Sequence, residues 1–378
     1  MGLSIPPVKP YFPDEDIEQV KLDVEKILRS GMLTLGEYNK RFEEGFAREH
    51  GTKHAIAVNS GTSAIEISLR GLGIGPGDEV IVPTNTFSAT AAAAFFVGAT
   101  VRFADIDPET LALSRQTVEP VITPKTKAIM TVHIGGLVSP STPELRSMAG
   151  DGGLFFIEDA AHAHGASCNG RKAGSFGDAG AFSFYPTKVM AASEGGMITT
   201  DRAEVKEKAL VLRDQGKESF SSNLIVELGY NWRMNEISAA IGLLQLKRLG
   251  EMIEKRNRIA RTFDGGLQKI SGIRPQKIPA GCVSNYYKYT AFLDEGIDRE
   301  KFKQKCREKG VKCGGEVYWP PLHLQPIYQK LMKTKEGDYP VAEEMGRRMV
   351  ELPMYTQMTE EEAGYVVDVI EQVIGEVA

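Results

Sequence analysis

Apolar positions recur along this chain with two spacings, and the balance between them shifts near residue 203. Before that point, short runs of apolar and small residues alternate with stretches whose apolar residues fall three or four apart. The runs Ala55–Val58, Glu79–Val82, Val101–Ala104, Ala128–Val132, Leu154–Ile157, Ala179–Ser183 and Met197–Thr199 predict β-strands. Asp14–Arg29 predicts a helix with Ile17, Val20, Val24, Ile27 and Leu28 on one face, closed by Gly31. Tyr38–His50 predicts a second, with Phe42, Phe46 and Ala47 inward. Helical spacing also covers Ser60–Leu72, the alanine-rich Ser88–Gly98 and, briefly, Thr117–Val121. Such alternation implies a mainly parallel sheet covered on both faces.

After residue 203 the helical spacing dominates, over Ala203–Arg213 and then Asn235–Arg261, where Ala239, Ala240, Leu243, Leu244 and Leu246 pack together. From about residue 282 a second alternation begins. It predicts a strand at Tyr287–Phe292, a helix at Arg299–Lys309, an extended stretch at Lys312–Trp319 and a closing helix at Glu360–Val377. The expected organisation is a large α/β domain over residues 1–250 and a smaller α+β domain over 251–378.

Composition narrows this little. The chain has 378 residues, 42% hydrophobic and 25% charged, as in ordinary globular proteins. A net charge of −5 argues against nucleic acid or an anionic membrane surface as partner. Cys168, Cys282, Cys306 and Cys313 form no CxxC pair, so free thiols in a reducing cytoplasm are expected and a zinc site is not. The segment Met1–Pro10 has no basic stretch followed by an apolar one, so no signal peptide is expected, and Pro6 stands where myristoylation wants Ser or Thr. Thr90–Val101 is too short to span a bilayer.

Candidate chemistry sits at the strand ends. Asn59-Ser-Gly-Thr-Ser-Ala64 joins a strand to a helix, which suits either a phosphate at the helix N-terminus or a plain N-cap. Gly71-Leu-Gly-Ile-Gly-Pro-Gly77 resembles a dinucleotide fingerprint but carries Pro76 where glycine is required and follows a helix, so it reads as a C-cap and turn. Glu158-Asp-Ala-Ala-His162-Ala-His164-Gly165 follows an apolar strand, so Asp159 either reaches a ligand crevice or caps the next helix; the two histidines lack a set at metal-ligand spacing. In Gly180-Ala-Phe-Ser-Phe-Tyr-Pro-Thr-Lys188, alternation sets Ser183 opposite Phe182 and Phe184, which read as core aromatics. Lys188, just before Glu194-Gly-Gly196, is either a surface lysine or one placed to form an imine with an aldehyde cofactor.

These motifs occur in a fixed order with Asp78-Glu-Val-Ile-Val-Pro83, Thr86-Phe87, Gly229-Tyr-Asn231-Trp-Arg-Met234, Pro321-Leu-His323 and Leu352-Pro-Met-Tyr355. Together they resemble the DegT/StrS family of sugar aminotransferases over about Ile5 to Ile374. The resemblance implies a fold-type-I aminotransferase, with a seven-stranded, mainly parallel sheet in the large domain, and pyridoxal 5′-phosphate as cofactor. It implies that Lys188 carries the cofactor as a Schiff base and that Asp159 pairs with the pyridine nitrogen. Gly61, Thr62, Ser63 and Ser183 correspond to the phosphate cradle, and Phe87 to the ring that stacks on the cofactor. Asn231 corresponds to a residue that reaches the neighbouring subunit's phosphate, which implies a homodimer. His323 and Tyr318 fall to the substrate cleft.

His162 stands where the family usually has Gln; an imidazole there can still contact the cofactor's hydroxyl or face, and its charge state is expected to make protonation of the lysine–cofactor imine pH-sensitive. Ala192-Ser193 and His133-Ile-Gly-Gly136 are further departures. The implied reaction moves an amino group from an amino acid, glutamate by resemblance, to a keto-sugar, a nucleotide-linked keto-deoxy-hexose. A cyclitol aminotransferase, a pyridoxamine-dependent dehydratase and a non-catalytic sensor are the alternatives; retention of Lys188 speaks against the histidine-bearing dehydratases.

Overall fold

A computed structural model describes residues 3–377. Met1, Gly2 and Ala378, which include the start of the N-terminal segment read above and the outer ends of both expected domains, lie outside the described residues. The central sheet has seven strands: β1 (His54–Val58), β2 (Glu79–Pro83), β3 (Thr100–Ala104), β4 (Thr126–Val132), β5 (Phe155–Asp159), β6 (Ala179–Ser183) and β7 (Gly196–Thr200). Their order is β1-β7-β6-β5-β4-β2-β3. β7 runs antiparallel to both neighbours, and every other pairing is parallel.

The mostly apolar centres of these strands follow from burial on both faces. Alternation splits each strand between two cores. Ala57, Ile81, Ile129, Phe156, Phe182 and Met197 face one side. Their neighbours Ile56, Val80, Met130, Ile157, Ala181 and Ile198 face the other. Helices α1 (Asp14–Ser30) and α2 (Glu37–His50), α3 (Gly61–Gly71) and α4 (Ser88–Phe96), then α5 (Thr142–Asp151) and α6 (Ala203–Arg213), precede the long α7 (Glu236–Leu267). Phe42, Phe46 and Ala47 of α2 are buried as expected. On α1, however, Ile17 and Leu28 are exposed, and the buried face joins Ile27 to Asp16 and Asp23. Asp16 accepts from Arg248 at 3.0 Å and Asp23 from the Tyr38 hydroxyl at 2.9 Å. Helix α5 has weak apolar spacing and no expected counterpart.

A second, three-stranded sheet holds β8 (Ile273–Pro275), β9 (Tyr289–Leu293) and β10 (Met349–Leu352) in the order β8-β9-β10. Helices α8 (Arg299–Glu308) and α9 (Glu360–Val377) share a core with it. Residue 250 lies inside α7, which runs unbroken from one sheet to the other.

One buried carboxylate ties α7 to α2. Gly36 caps α2 without a side chain of its own, and Glu236, in the first turn of α7, accepts from the N–H groups of Gly36, Tyr38 and Asn39 at 2.9 Å each. Glu236→Ala leaves these donors buried without an acceptor, and should cost about 3 kcal/mol. Urea unfolding checks this, and a midpoint unchanged from wild type would refute the capping role.

Candidate functional site

The carboxyl edge of the parallel strands opens into a cavity of about 360 Å³, within the roughly 300–1,000 Å³ of small-molecule sites. At one end β1 runs into Ser60, whose Oγ accepts from the Ser63 N–H at 3.1 Å and starts α3. The Ser63 hydroxyl donates to Asn59 Oδ1 at 2.7 Å, so Ser63 braces the turn from behind. Gly61 and Thr62 line the cavity. First-turn N–H groups have no helical acceptor and sit at the positive end of the helix dipole. Ser183, at the end of β6, faces them, and a Cβ at Gly61 would come within 2.8 Å of its Cβ. Glycine there keeps the cradle open.

At the other end Asp159 closes β5. The Thr90 hydroxyl donates to its Oδ2 at 2.6 Å and the Ala161 N–H to its Oδ1 at 3.1 Å. Burial raises the Asp159 pKa, while these hydrogen bonds and the Lys188 charge work against the rise. Glu158 turns to the opposite side, accepting from Gly174 and Gly177 N–H at 2.8 and 2.7 Å and contacting His133 Nε2 at 2.8 Å. Of the acidic pair only Asp159 reaches the cavity.

Lys188 lies in the loop between β6 and β7, closed by Phe184 and Gly195 through a 2.9 Å backbone bond. Burial brings its pKa down to about 8, with the Asp159 charge opposing and Lys288 assisting. Its Nζ sits 4.7 Å from the centre of the Tyr287 ring, and the Tyr287 and Thr187 hydroxyls are 3.1 Å apart. His162 stacks on the same tyrosine, with centroids 4.2 Å apart and planes tilted by 32°. Its Nε2 lies 3.0 Å from the Tyr318 hydroxyl. Burial, joined by the charges of Lys188 and Lys288, holds the His162 pKa well below 6.5. Burial therefore opposes the charge on His162 from which the pH sensitivity was expected. His164 packs against Phe182 and Phe184, away from it.

Phe87 stands at the mouth, 58% exposed, 5.7 Å from the Tyr318 ring. Asn231 is exposed outside the cavity of its own chain, and its carbonyl accepts from Asn59 Nδ2 at 3.3 Å. His323, expected in the substrate cleft, is instead fully buried behind the wall. Its Nδ1 meets Thr84 Oγ1 at 2.7 Å and its Nε2 meets Glu343 Oε1 at 2.9 Å, so neither nitrogen is left for a substrate. The sequence reading missed Thr90 and Tyr287. Thr90 is the one polar residue within an alanine run, a usable signal; Tyr287 sits in a strand-like Tyr-Tyr-Lys-Tyr stretch that offers none.

Residues 14–371 match the model of the DegT/DnrJ/EryC1/StrS aminotransferase family. The chain belongs to this family. It is 37% identical to the spore coat polysaccharide biosynthesis protein SpsC of Bacillus subtilis, covering 97% of this chain and 96% of that one. It is also 37% identical to the GDP-perosamine synthase of Caulobacter vibrioides, over 90% and 91% of the two chains. The structure of S. venezuelae DesV in complex with a ketimine intermediate superposes with a TM-score of 0.93 at 31% identity, covering all of both chains. The sugar aminotransferase Spr1654 of Streptococcus pneumoniae, described by its structure as putative, matches in its PLP-form with a TM-score of 0.90 at 28% identity, over 99% and 100% of the chains. The fold is that of the fold-type-I aminotransferases, the chain is an aminotransferase, and the family's cofactor is pyridoxal 5′-phosphate.

The residues present fit that cofactor. An anion cradle, a buried carboxylate and an amine of depressed pKa surround one cavity, and the buried His162 Nδ1 has no hydrogen-bond partner among the described residues. With the cofactor removed, the reactivity of Lys188 toward an amine reagent should titrate with a midpoint near pH 8. Asp159→Asn should move the midpoint lower, since the carboxylate charge favours the ammonium form. A midpoint near the ordinary lysine value of about 10.4 would contradict the burial assigned to this amine.

Proposed function

We propose that this aminotransferase moves an amino group from glutamate to a nucleotide-linked keto-deoxy-hexose. The observation that carries the reading is the placement of Lys188 Nζ, its pKa lowered to about 8, in one cavity with Asp159 and the first turn of α3. Gly61, Thr62 and Ser183 would hold the phosphate, and Asp159 would hold a proton on the pyridine nitrogen. Pyridoxal 5′-phosphate, when bound, supplies an electron sink and a carrier for the amino group. Lys188, whose burial makes its amine lose its proton more readily than an ordinary lysine's, takes a proton from the donor's α-carbon and gives one back to the product. Phe87 and Tyr318 flank the mouth, where substrate enters. The sugar assignment is supported by the names of relatives such as GDP-perosamine synthase.

The working form in this proposal is a cytoplasmic homodimer, with Asn231 reaching the partner's cradle. Leu224, Ile225, Val226, Leu228 and Tyr230 leave their side chains exposed beside Asn231, an apolar strip that a second copy would cover. Among the described residues no helix is long and apolar enough to cross a membrane. The division into a large cofactor-binding domain, 1–250, and a smaller one, 251–378, belongs to the same proposal, with α7 shared between them.

Lys188→Ala should lower turnover with glutamate and a panel of keto-sugar nucleotides by on the order of 10³-fold or more, and remove the long-wavelength absorbance of the lysine-bound cofactor. Retained turnover would sink the assignment. A shared site makes a second prediction. Asn231→Ala and Lys188→Ala proteins, each weak alone, should regain activity when unfolded and refolded together, because one site of each mixed dimer is intact. No gain on mixing would place Asn231 outside the partner's site.

A further inference from the structure

Cys168 and Cys282 lie 114 residues apart in sequence and side by side in the fold. Ser167–Cys168 and Arg171–Lys172 form a small hairpin, and Cys282–Val283 pairs antiparallel with its first strand. The hairpin reverses through Asn169-Gly170, both at positive φ, the pairing that a tight two-residue turn requires. The register sets Cys168 directly opposite Cys282 and Ser167 opposite Val283. One step along, the Asn169 N–H donates to the Gly281 carbonyl at 2.7 Å. Hydrogen-bonded and non-hydrogen-bonded pairs alternate along such a ladder, so the two cysteines occupy a non-hydrogen-bonded position. Cα atoms there are typically ~4.5 Å apart, within the ~4.4–6.8 Å that a disulfide spans. Both residues are free thiols, and the Cys282 thiol donates to Cys168 Sγ at 2.8 Å.

A bond between them would join the two walls of the cavity from behind. Cys168 lies just past the loop that runs from Asp159 through His162. Cys282 opens the segment whose Asn285 amide donates to the His162 and His164 carbonyls, and whose Tyr287 ring meets Lys188 Nζ. Neither cysteine lines the cavity itself. Cys168 is buried and Cys282 half-buried, so a reagent from solvent meets Cys282 first. Burial, then the neighbouring thiol, pushes the Cys282 pKa up to about 12. Thiolate is therefore scarce and exchange slow, as in a durable cross-link and unlike a fast redox sensor.

We propose that Cys168 and Cys282 are a reversible disulfide staple, closed by a small-molecule disulfide such as oxidised glutathione, that ties the loop after Asp159 to the segment carrying Tyr287. The Cys282 thiolate attacks one sulfur of the oxidant, forms a mixed disulfide and expels one thiolate. Cys168 gives up its proton, attacks Cys282 Sγ and expels the second. The two expelled thiolates take up the two cysteine protons. Two cysteine thiols are thus oxidised to one S–S bond, and one external disulfide is reduced to two thiols. In a reducing compartment the pair stays open, and it closes as the thiol pool turns oxidising.

The test uses the purified full chain with its cofactor, held in excess oxidised glutathione at mildly alkaline pH until thiol loss stops. Mass mapping of an unreduced digest should find the Cys168 and Cys282 peptides linked, and dithiothreitol should separate them. A lasting glutathione adduct on Cys282, or both thiols still free, overturns the proposal. A cross-link closing so long a loop restricts the unfolded chain, so the oxidised protein should melt about 3–8 °C above the reduced one. Linked peptides without that rise would overturn the staple. Cys282→Ala, a small truncation at a half-buried position, should lose the oxidant-dependent rise, and Cys313→Ala should keep it. A rise that survives in Cys282→Ala would place the effect at another thiol and overturn the assignment.

Discussion

An amine and a carboxylate share one cavity at the edge of the sheet, and burial acts on each more strongly than they act on one another. Lys188 is pushed down and Asp159 up, although the charge of each favours ionisation of the other. This is the expected outcome where desolvation exceeds Coulombic attraction. The fold must therefore hold both groups against their preference for water. Asp159 is held by the last register position of β5, the Thr90 hydroxyl and the Ala161 N–H. Lys188 is held by a loop pinned at both ends to adjacent strands. A ligand that brings a protonated ring nitrogen to one and a carbonyl to the other relieves both, which is how a pre-formed site draws binding energy from its own electrostatics.

The pleat decides which side chains can join this pair. Glu158 and Asp159 are neighbours, yet only one faces the ligand; the other is consumed by two backbone donors and His133. Phe182 and Ser183 divide in the same way between aromatic core and cradle. β7, the one strand running against the rest, brings its first residue to the same edge, where Gly196 admits the Ser60 carbonyl at a spot no Cβ could share. The N-terminus of α3 and the Lys188 loop can approach only because of that glycine.

Much of this was legible in the sequence because it is local. Every central strand has an apolar or small-residue centre, and the ends of β1, β5 and β6 carry Ser60–Thr62, Asp159 and Ser183 within a few residues of their signals. What was not legible is set by distant partners. His323 is satisfied by Thr84, 239 residues away, and Glu343, 20 residues on, so a motif match alone could not tell a buried, saturated imidazole from a free one. Tyr287 reaches Lys188 across about a hundred residues. The apolar stripe of α1 was readable, but the buried face includes Asp16, paired with distant Arg248, and Asp23 beside Ile27, while Ile17 and Leu28 point outward. The lowered pKa of His162 followed from burial, which composition does not report.

The two sides of the cavity are built by different parts of the chain. Asp159, Ser183 and the α3 turn belong to the central sheet, whereas Tyr287 enters from the segment leading into β9 and Tyr318 from the stretch after α8. Direct polar bonds near the cavity register one side on the other. Asn285 grips the carbonyls of His162 and His164, Asn85 grips the Tyr318 N–H, and the Thr187 and Tyr287 hydroxyls meet at 3.1 Å. All of these joints are polar, and Asn285 and Asn85 are buried, so a small shift between the sides strands donors without acceptors and is resisted steeply. The cavity can thus stay open at its mouth while its rear is fixed to hydrogen-bond tolerance. That combination suits a site that must admit a bulky substrate yet present Lys188, Asp159 and His162 in one arrangement.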